Sequence, residues 1–386
     1  MRVTYPHMGH MWICIKGMLE YLGVDVVIPP PSSKKTMQLG VKHGPEFACM
    51  PLKLNLGNFM EAAQMGADTV VMAGGCGPCR FGYYAQVEHA ILNDLGYRYQ
   101  LVVLEPPEKH ITELIGKIRY ITQNRSWLKV IKGIRLGYLK ASAVDQVEQR
   151  AYYSRPRELR PGETERALKQ ALALIIAART PEEMPATLEA ALKIMEGVDV
   201  DQHRPVVRIG LVGEIFTLLE PFANLEIERK LGNMGVEVDR SIHLSEWIND
   251  HLFMGLIKKE RSSKPAKEKG LAYLGHTVGG HGLETVGSTI LYAEQGFDGV
   301  IQLLPFTCMP EIVAQSILPQ VSSDLGIPVM TLIVDEQSGE AGMVTRLEAF
   351  VDLLIRRGDT PQLVGQCFGV EECPQRIKKE IREGTA

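Results

Sequence analysis

Short apolar runs alternate with longer amphipathic stretches over the first quarter of the chain, and this alternation predicts strands joined by helices. Strands are predicted at residues 2–5, 24–28, 69–73 and 99–104, and helices at residues 11–21, 56–65 and 83–95. Gly23, Gly66 and Gly96 each follow a predicted helix, where glycine most easily adopts the left-handed conformation of a helix cap. This order of elements is typical of a parallel sheet that helices cover on both faces.

The pattern changes over residues 107–201, where leucine, alanine, lysine and glutamate recur at helical spacing. One helix is predicted to begin at residues 180–183, where a threonine and a proline precede two glutamates. A second series of apolar runs begins at Val206 and resembles the first, because Gly66-Ala67-Asp68 and Gly296-Phe297-Asp298 each precede a predicted strand. The chain is therefore predicted to contain an internal repeat.

We predict an α/β protein with two doubly wound parallel-sheet domains of the Rossmann or flavodoxin type and a helical segment between them. The predicted boundaries are residues 1–106 for the first α/β domain, 107–204 for the helical segment and linker, 205–360 for the second α/β domain, and 361–386 for a polar C-terminal tail. The first domain carries most of the candidate ligands, and the second supplies Cys308.

Composition excludes several classes of protein. The chain has 386 residues, of which 45% are hydrophobic and 23% are charged, so it can bury a large core in more than one domain. A net charge of −4 and a pI near 6.2 argue against a nucleic-acid-binding protein. No apolar run approaches the ~20 residues of a membrane-spanning helix, and no signal-peptide pattern opens the sequence, so we expect a cytoplasmic protein that does not bind membranes.

The cysteines carry the most specific pattern in the chain. A cysteine stands two residues before a proline at Cys49-Met50-Pro51, Cys76-Gly77-Pro78 and Cys308-Met309-Pro310, and Cys79 completes a Cys-x-x-Cys motif. Cys76 and Cys308 follow predicted central strands, and open α/β sheets bind ligands beyond the carboxyl ends of their strands. Two such halves that face each other would bring Cys49, Cys76, Cys79 and Cys308 into one cleft.

Three kinds of chemistry fit this pattern. A metal-free dithiol oxidoreductase would use Cys76 and Cys79 alone, as thioredoxin-like motifs do, and would leave Cys49 and Cys308 without a role. A zinc-stabilised scaffold subunit would use all four thiolates, although structural zinc sites usually pair two short Cys-x-x-Cys motifs. An iron–sulfur cluster takes thiolates from separate loops, and the glycines around Cys76 would let backbone amides approach its sulfides. The residues favour the cluster and leave the other two open.

Several longer motifs resemble proteins related to 2-hydroxyacyl-CoA dehydratase and its activase. The matching segments are residues 6–12, 22–27, 49–53, 74–83, 305–311, 335–342 and 345–350. The resemblance implies an oxygen-sensitive iron–sulfur protein of anaerobic metabolism. Its partner would be an ATP-hydrolysing activase that supplies low-potential electrons. It also implies a reductase or dehydratase component that assembles as a homo- or hetero-oligomer.

The same resemblance sets two alternatives for the cofactor. A [4Fe-4S] cluster would be held by Cys49, Cys76, Cys79 and Cys308, and this set is favoured. A double-cubane [8Fe-9S] cluster, which reduces small molecules in a related protein, needs six thiolates. Six are present only if two of the remaining three cysteines also contribute: Cys14, which lies in an apolar helix, and Cys367 and Cys373, which lie in the polar tail.

Candidate catalytic groups lie beyond the first strand of each half. His7 and His10 follow the first strand, and Glu214 follows the corresponding strand of the second half, where it is also expected to cap a helix. His276 and His281 lie in a glycine-rich segment that is expected to be a flexible loop. No Walker-type phosphate loop is present, so ATP is expected to bind the partner.

Overall fold

The computed structural model describes residues 1–75, 77–105, 111–251 and 262–358. The first sheet contains β1 (Arg2–Thr4), β2 (Asp25–Val26), β3 (Thr69–Ala73) and β4 (Gln100–Leu104). The second contains β5 (Val207–Gly213), β6 (Val236–Arg240), β7 (Gly299–Pro305) and β8 (Val329–Val334). All strand pairs are parallel, and the orders β2-β1-β3-β4 and β6-β5-β7-β8 are equivalent. The predicted α/β class with two parallel sheets is confirmed.

Helices flank both sheets, and further helices form the part of the chain that lies between the two sheets in the sequence. The first half contains α1 (Met11–Tyr21), α2 (Lys34–His43), α3 (Met50–Gln64) and α4 (Tyr84–Asp94). The middle contains α5 (Ile111–Ile121), α6 (Trp127–Ser154), α7 (Glu163–Ala177) and α8 (Met184–Glu196). The second half contains α9 (Ile215–Leu219), α10 (Ile227–Asn233), α11 (Leu244–His251), α12 (Lys264–Leu274), α13 (Gly282–Glu294), α14 (Met309–Leu325) and α15 (Glu340–Gly358).

The two halves repeat each other in detail as well as in strand order. In the first half, Asp68 accepts a hydrogen bond from the backbone N–H of Arg2 at 2.8 Å. In the second half, Asp298 accepts one from the backbone N–H of Arg208 at 2.7 Å. Each aspartate precedes the central strand of its sheet and fixes the start of the neighbouring strand. The internal repeat expected from the Gly-x-Asp segments is therefore present in the structure.

The long helix α6 joins the two α/β units. It packs against α1 of the first unit, against α7 and α8, and against α11 and β6 of the second unit. Ile13, Leu136 and Ile175 belong to one buried cluster that connects α1, α6 and α7. The carboxylate of Asp145 accepts hydrogen bonds from the backbone N–H groups of Leu244 at 3.3 Å and Ser245 at 2.7 Å, so α6 also fixes the start of α11.

Three helix starts differ from the prediction. Helix α2 was not predicted, and a reciprocal capping box between Ser33 and Thr36 begins it. Helix α3 begins at Met50 and not at residue 56, because Cys49 is its N-cap and the following proline suits a first turn. Helix α8 begins at Met184, because Glu183 turns back to accept a hydrogen bond from the backbone N–H of Arg179.

Across the described ranges, no helix combines the length and the apolar character that crossing a bilayer requires. The predicted tail at residues 361–386 lies outside the described residues.

Candidate functional site

Three of the four predicted cysteine ligands lie at the starts of helices. Cys49 is the N-cap of α3, and Cys308 is the N-cap of α14. Cys79 precedes a single 3-10 turn at Arg80–Tyr83 that leads into α4. Cys76 lies outside the described residues, between Gly75 and Gly77. The amino ends of helices carry partial positive charge, so α3 and α14 direct a favourable potential toward anionic sulfur at Cys49 and Cys308.

The Arg80 guanidinium connects the three segments that carry these cysteines. Its Nη1 donates to the carbonyl oxygen of Phe47 at 2.9 Å, two residues before Cys49. Its Nη2 donates to the carbonyl oxygen of Thr307 and, at 3.0 Å, to Thr307 Oγ1. Thr307 Oγ1 also donates to the Phe47 carbonyl oxygen at 3.1 Å. The Arg80 side chain therefore holds the segments before Cys49 and Cys308 against the segment that carries Cys79.

Thr307 has a left-handed backbone, with φ of +67°, directly before Cys308. A β-branched residue rarely adopts this conformation, which persists only where its surroundings impose it. The hydrogen bonds with Arg80 and Phe47 supply that constraint. The Arg80 guanidinium is thus used by backbone and hydroxyl oxygens.

A second contact between the halves is made by Gly279 and Gly280, which precede α13. A Cβ atom on Gly280 would lie 3.8 Å from Cys79 Sγ and 3.0 Å from Pro310 Cγ. A Cβ atom on Gly279 would lie 3.2 Å from the backbone nitrogen of Cys79. Both glycines have positive φ, at +82° and +48°. The segment interpreted from the sequence as a flexible loop therefore packs directly on the Cys-x-x-Cys turn.

A buried ion pair also crosses between the halves near Cys49. Lys53 lies in the first turns of α3 and is 3% exposed. Its Nζ lies 2.6 Å from Glu336 Oε1, in the loop after β8, and 3.0 Å from the carbonyl oxygen of Glu46. The segment that contains Cys49 is thus attached to the second half through Lys53 as well as through Phe47.

Cys49, Cys79 and Cys308 lie near Glu214, and we call the region formed by these four groups the cysteine cleft. Burial raises the pKa of the Cys49 thiol to about 11 and raises those of Cys79 and Cys308 as well. The Glu214 carboxylate adds to the increase at all three thiols, so each thiol lies within electrostatic range of Glu214. Because metal ligands must be deprotonated, a bound cation would displace the protons of these thiols.

Glu214 also has the structural role expected of it. Its carboxylate accepts hydrogen bonds from the backbone N–H groups of Phe216 and Thr217, both at 2.9 Å, and so caps α9. The preceding Gly213 permits a close approach, since a Cβ atom there would lie 1.9 Å from the Leu303 carbonyl oxygen. Burial raises the pKa of Glu214. The carboxylate is consequently held at a fixed position in the cysteine cleft.

Sequence reasoning missed Glu311, which lies in the first turn of α14. The segment Cys308-Met309-Pro310-Glu311 follows β7 as Cys76-Gly77-Pro78-Cys79 follows β3, so Glu311 takes the place of Cys79 in the second half. Thr285 Oγ1 donates to the Glu311 carboxyl group at 3.0 Å, and Gln302 Nε2 donates to it at 3.0 Å. Burial raises the pKa of Glu311 to about 8. An alignment of the two Cys-x-Pro segments would have identified it.

The candidate histidines of the first loop have carboxylate partners from other elements. His7 Nδ1 lies 3.1 Å from Glu220 Oε2, which also accepts from the backbone N–H of Gly9 at 2.8 Å. His10 Nδ1 lies 2.6 Å from Glu148 Oε1 of α6. The Glu148 hydrogen bond helps to raise the pKa of His10, against the effect of burial. Both side chains connect the first half to the rest of the molecule, and their catalytic roles stay predictions.

The other candidates are distributed as follows. His276 is exposed, and His281 is half-buried with its ring facing that of His251 at a centroid distance of 6.4 Å. Cys14 is buried beside Ala141 and Leu244, where α1, α6 and α11 meet, as expected of a small core thiol. Cys367 and Cys373 lie outside the described residues.

The donor set of the cysteine cleft suits an iron–sulfur cluster. Its members are thiols on separate loops, near the amino ends of helices and beside a backbone approach at Gly279 and Gly280. Within the described part of the chain, which omits Cys76, no three Cys, His, Asp or Glu side chains are placed to hold a single metal ion. Thiolates around a cluster bind different irons, so they do not need to converge on one point.

A scan of the chain against protein-family models found no match, and a search of curated proteins found no relative. The resemblance carried by the motifs therefore remains an expectation.

Proposed function

We propose that this chain binds an iron–sulfur cluster between its two α/β units and accepts low-potential electrons from an ATP-hydrolysing partner. The observation that carries the proposal is the Arg80 guanidinium, which bonds to Phe47 and Thr307 and so holds the segments of Cys49, Cys79 and Cys308 together. A chain that used only the Cys76–Cys79 pair would have no need of this connection.

The ligands in this proposal are Cys49, Cys76, Cys79 and Cys308. When bound, the cluster would supply one-electron transfer at a potential set by its charge, hydrogen bonds and exposure. The chain's own residues would hold the thiolates in place, exclude water by burial and offset negative charge through Arg80 and the amino ends of α3 and α14. The Tyr84 hydroxyl is hydrogen-bonded with Cys49 Sγ and would influence the charge on that sulfur.

Four thiolates are better supported than six. Cys14 packs against Ala141 and Leu244 in the core between α1, α6 and α11. A [4Fe-4S] cluster is accordingly favoured over the double-cubane [8Fe-9S] form.

The electron donor in this proposal is a separate ATP-hydrolysing activase, because the chain has no Walker-type loop of its own. The motif resemblance supports the same partner and a component that acts as a reductase or dehydratase. A reducing cytoplasmic setting would keep the free thiols available for the cluster.

Anaerobic purification of the full chain tests the proposal. We expect about four irons and four sulfides per chain and a broad visible band that dithionite bleaches. Cys49→Ser, Cys79→Ser and Cys308→Ser should each lower the iron content, whereas Cys14→Ser is the matched control and should retain it. With an activase, bleaching should require ATP.

Other results would favour other functions. A chain with native circular dichroism and no iron would overturn the proposal. Stoichiometric zinc would indicate a zinc-stabilised scaffold, and a reversible Cys76–Cys79 disulfide that Cys308→Ser leaves unchanged would indicate a dithiol oxidoreductase. About eight irons, reduced in number by Cys14→Ser, would indicate the double-cubane form.

A further inference from the structure

A cavity of about 260 Å³ lies in the second half, and none of the roles described so far explains it. Its lining includes Arg208 on β5, Glu237 and Asp239 on β6, and Phe297, which precedes β7. Arg208 and Glu237 are the second residues of their strands, so the cavity lies toward the amino ends of the sheet. The cysteine cleft lies at the opposite edge, because Cys308 follows the carboxyl end of β7. The cavity is therefore separate from that site.

Two opposite charges in this cavity are neighbours across the sheet and yet do not pair with each other. The strand register places Arg208 beside Glu237, and side chains at such positions lie on one face of the sheet. The Glu237 carboxylate instead lies 2.5 Å from Arg157 Nη2. The Arg208 guanidinium lies 4.1 Å from the centroid of the Phe297 ring, and among the described residues none accepts a hydrogen bond from it. Arg208 is therefore held ready for an anion that the chain does not supply.

Asp239 supplies the negative side of the cavity. The Tyr292 hydroxyl donates to Asp239 Oδ2 at 2.8 Å and so orients the carboxylate. Gly210 stands opposite Asp239 in the register and makes room for that tyrosine, since a Cβ atom there would lie 2.3 Å from the ring. Burial raises the pKa of Asp239, so a cation beside it would favour the charged form. Because Glu237 is already paired with Arg157, Asp239 is the acid that a ligand cation would meet.

The remaining walls of the cavity are aromatic, and its opening is polar. Tyr153 of α6 forms one wall, and the guanidinium groups of Arg157 and Arg150 lie 4.2 Å and 4.9 Å from the centroid of its ring. Gln149 and Gln295 are exposed, so the cavity opens to solvent between α6 and the end of α13. Its volume is just below the ~300–1,000 Å³ of sites for drug-sized ligands. It therefore suits a molecule smaller than a nucleotide.

We propose that this cavity binds a small zwitterion of amino-acid size, whose carboxylate is bound by Arg208 and whose ammonium group is bound by Asp239. A guanidinium group binds a carboxylate through two parallel hydrogen bonds, and an aspartate accepts hydrogen bonds from an ammonium group. The apolar part of the ligand packs against Phe297 and Tyr153. A molecule with only one charge would leave either Arg208 or Asp239 unpaired. The site does not depend on a cluster or on the proposed function.

Thermal unfolding of the full chain with each of the standard L-amino acids at neutral pH tests the site. At least one amino acid should raise the Tm, and calorimetric titration then gives its Kd. Arg208→Gln and Asp239→Asn should each weaken binding roughly tenfold to hundredfold, which is the effect of losing a hydrogen bond to a charged group. Arg98→Gln and Asp94→Asn are the matched controls, because these two residues are exposed in the first half. A Tm that no amino acid raises would overturn the proposal.

Two further comparisons test the position and the charge of the ligand. Propionate and propylamine each carry one of the two charges and should bind at least about tenfold more weakly than the amino acid. Equal affinity for propylamine would overturn the role of Arg208, and equal affinity for propionate would overturn that of Asp239. Gln295→Trp fills the opening without a change of charge and should abolish binding, whereas Gln295→Ala should retain it. Binding that Gln295→Trp leaves unchanged would place the ligand elsewhere and overturn the proposal, even if a charge variant fails to fold.

Discussion

Lys53 Nζ lies 2.6 Å from Glu336 Oε1, and this ion pair joins helix α3 of the first half to the loop after β8 of the second. The lysine side chain is 4% exposed and the glutamate side chain 24%, so solvent screens the pair only in part. The two halves are therefore expected to be energetically coupled at this point.

Glu336→Gln should destabilise the chain by about 3 kcal/mol, because it leaves a buried ammonium group without a counter-ion. Lys53→Met with Glu336→Gln should cost less than Glu336→Gln alone, since the double variant removes the unpaired charge. Urea unfolding of the wild type, both single variants and the double variant gives the coupling energy. Additive single effects would contradict the coupling.

Arg80→Lys should weaken the connection between the cysteine segments although it keeps the charge. A lysine cannot reproduce the planar fork that reaches Phe47 and Thr307 together. We expect lower iron retention after anaerobic gel filtration. Arg98→Lys is the control, because Arg98 is exposed. Equal iron contents in Arg80→Lys and the wild type would show that the guanidinium is not needed to hold the site.

Gly280→Ala should harm the cysteine cleft more than Gly275→Ala does. Both glycines have positive φ, at +48° and +69°, so an alanine at either position costs roughly 1–2 kcal/mol of backbone strain. Only Gly280 lacks space, since its Cβ would lie 3.0 Å from Pro310 Cγ, whereas nothing lies within 4 Å at Gly275. Thermal unfolding and iron content should separate the two variants. Indistinguishable variants would argue against close packing at Cys79.

Glu148 should make the stability depend on pH under acidic conditions. Although burial opposes the change, Arg240 and His10 lower the pKa of Glu148 from 4.5 to about 2. A carboxyl group with a depressed pKa stabilises the folded state fully above its unfolded pKa and loses that contribution as pH falls through the folded value. Glu148→Gln should therefore cost on the order of 2–3 kcal/mol at pH 6 and much less near pH 2. A cost that does not vary with pH, measured by urea unfolding, would contradict this.

Local patterns predicted the regular elements well. The apolar run at Thr69–Ala73 is a strand with those bounds, and Met11–Tyr21 is a helix with those bounds. The predicted start of helix α3 was too late. A cysteine followed by Met-Pro resembles a turn, but a proline in the first turn also suits a helix start. The expectation that Cys49, Cys79 and Cys308 lie in one cleft came from the rule that ligands bind beyond the carboxyl ends of parallel strands.

Local sequence patterns could not predict the contacts between the two halves. Arg80 bonds to Thr307, 227 residues away, and this depends on how one sheet is oriented against the other. The glycine-rich composition around Gly279 and Gly280 suggested a flexible loop. The structure shows that Cys79 and Pro310 approach these positions so closely that they leave little space for a side chain.

The two halves share one strand order, but the residues that they bring to the site differ. Two units with the same strand order and the same Arg–Asp contact would, if identical, enclose a symmetric cleft. Here the first half presents Cys79 where the second presents Glu311, which is supplied with hydrogen bonds by Thr285 and Gln302. The second half thus contributes Cys308 with a fully buried carboxyl group near it, whereas the first half contributes Cys49 and Cys79, so a ligand between them would meet two chemically different sides.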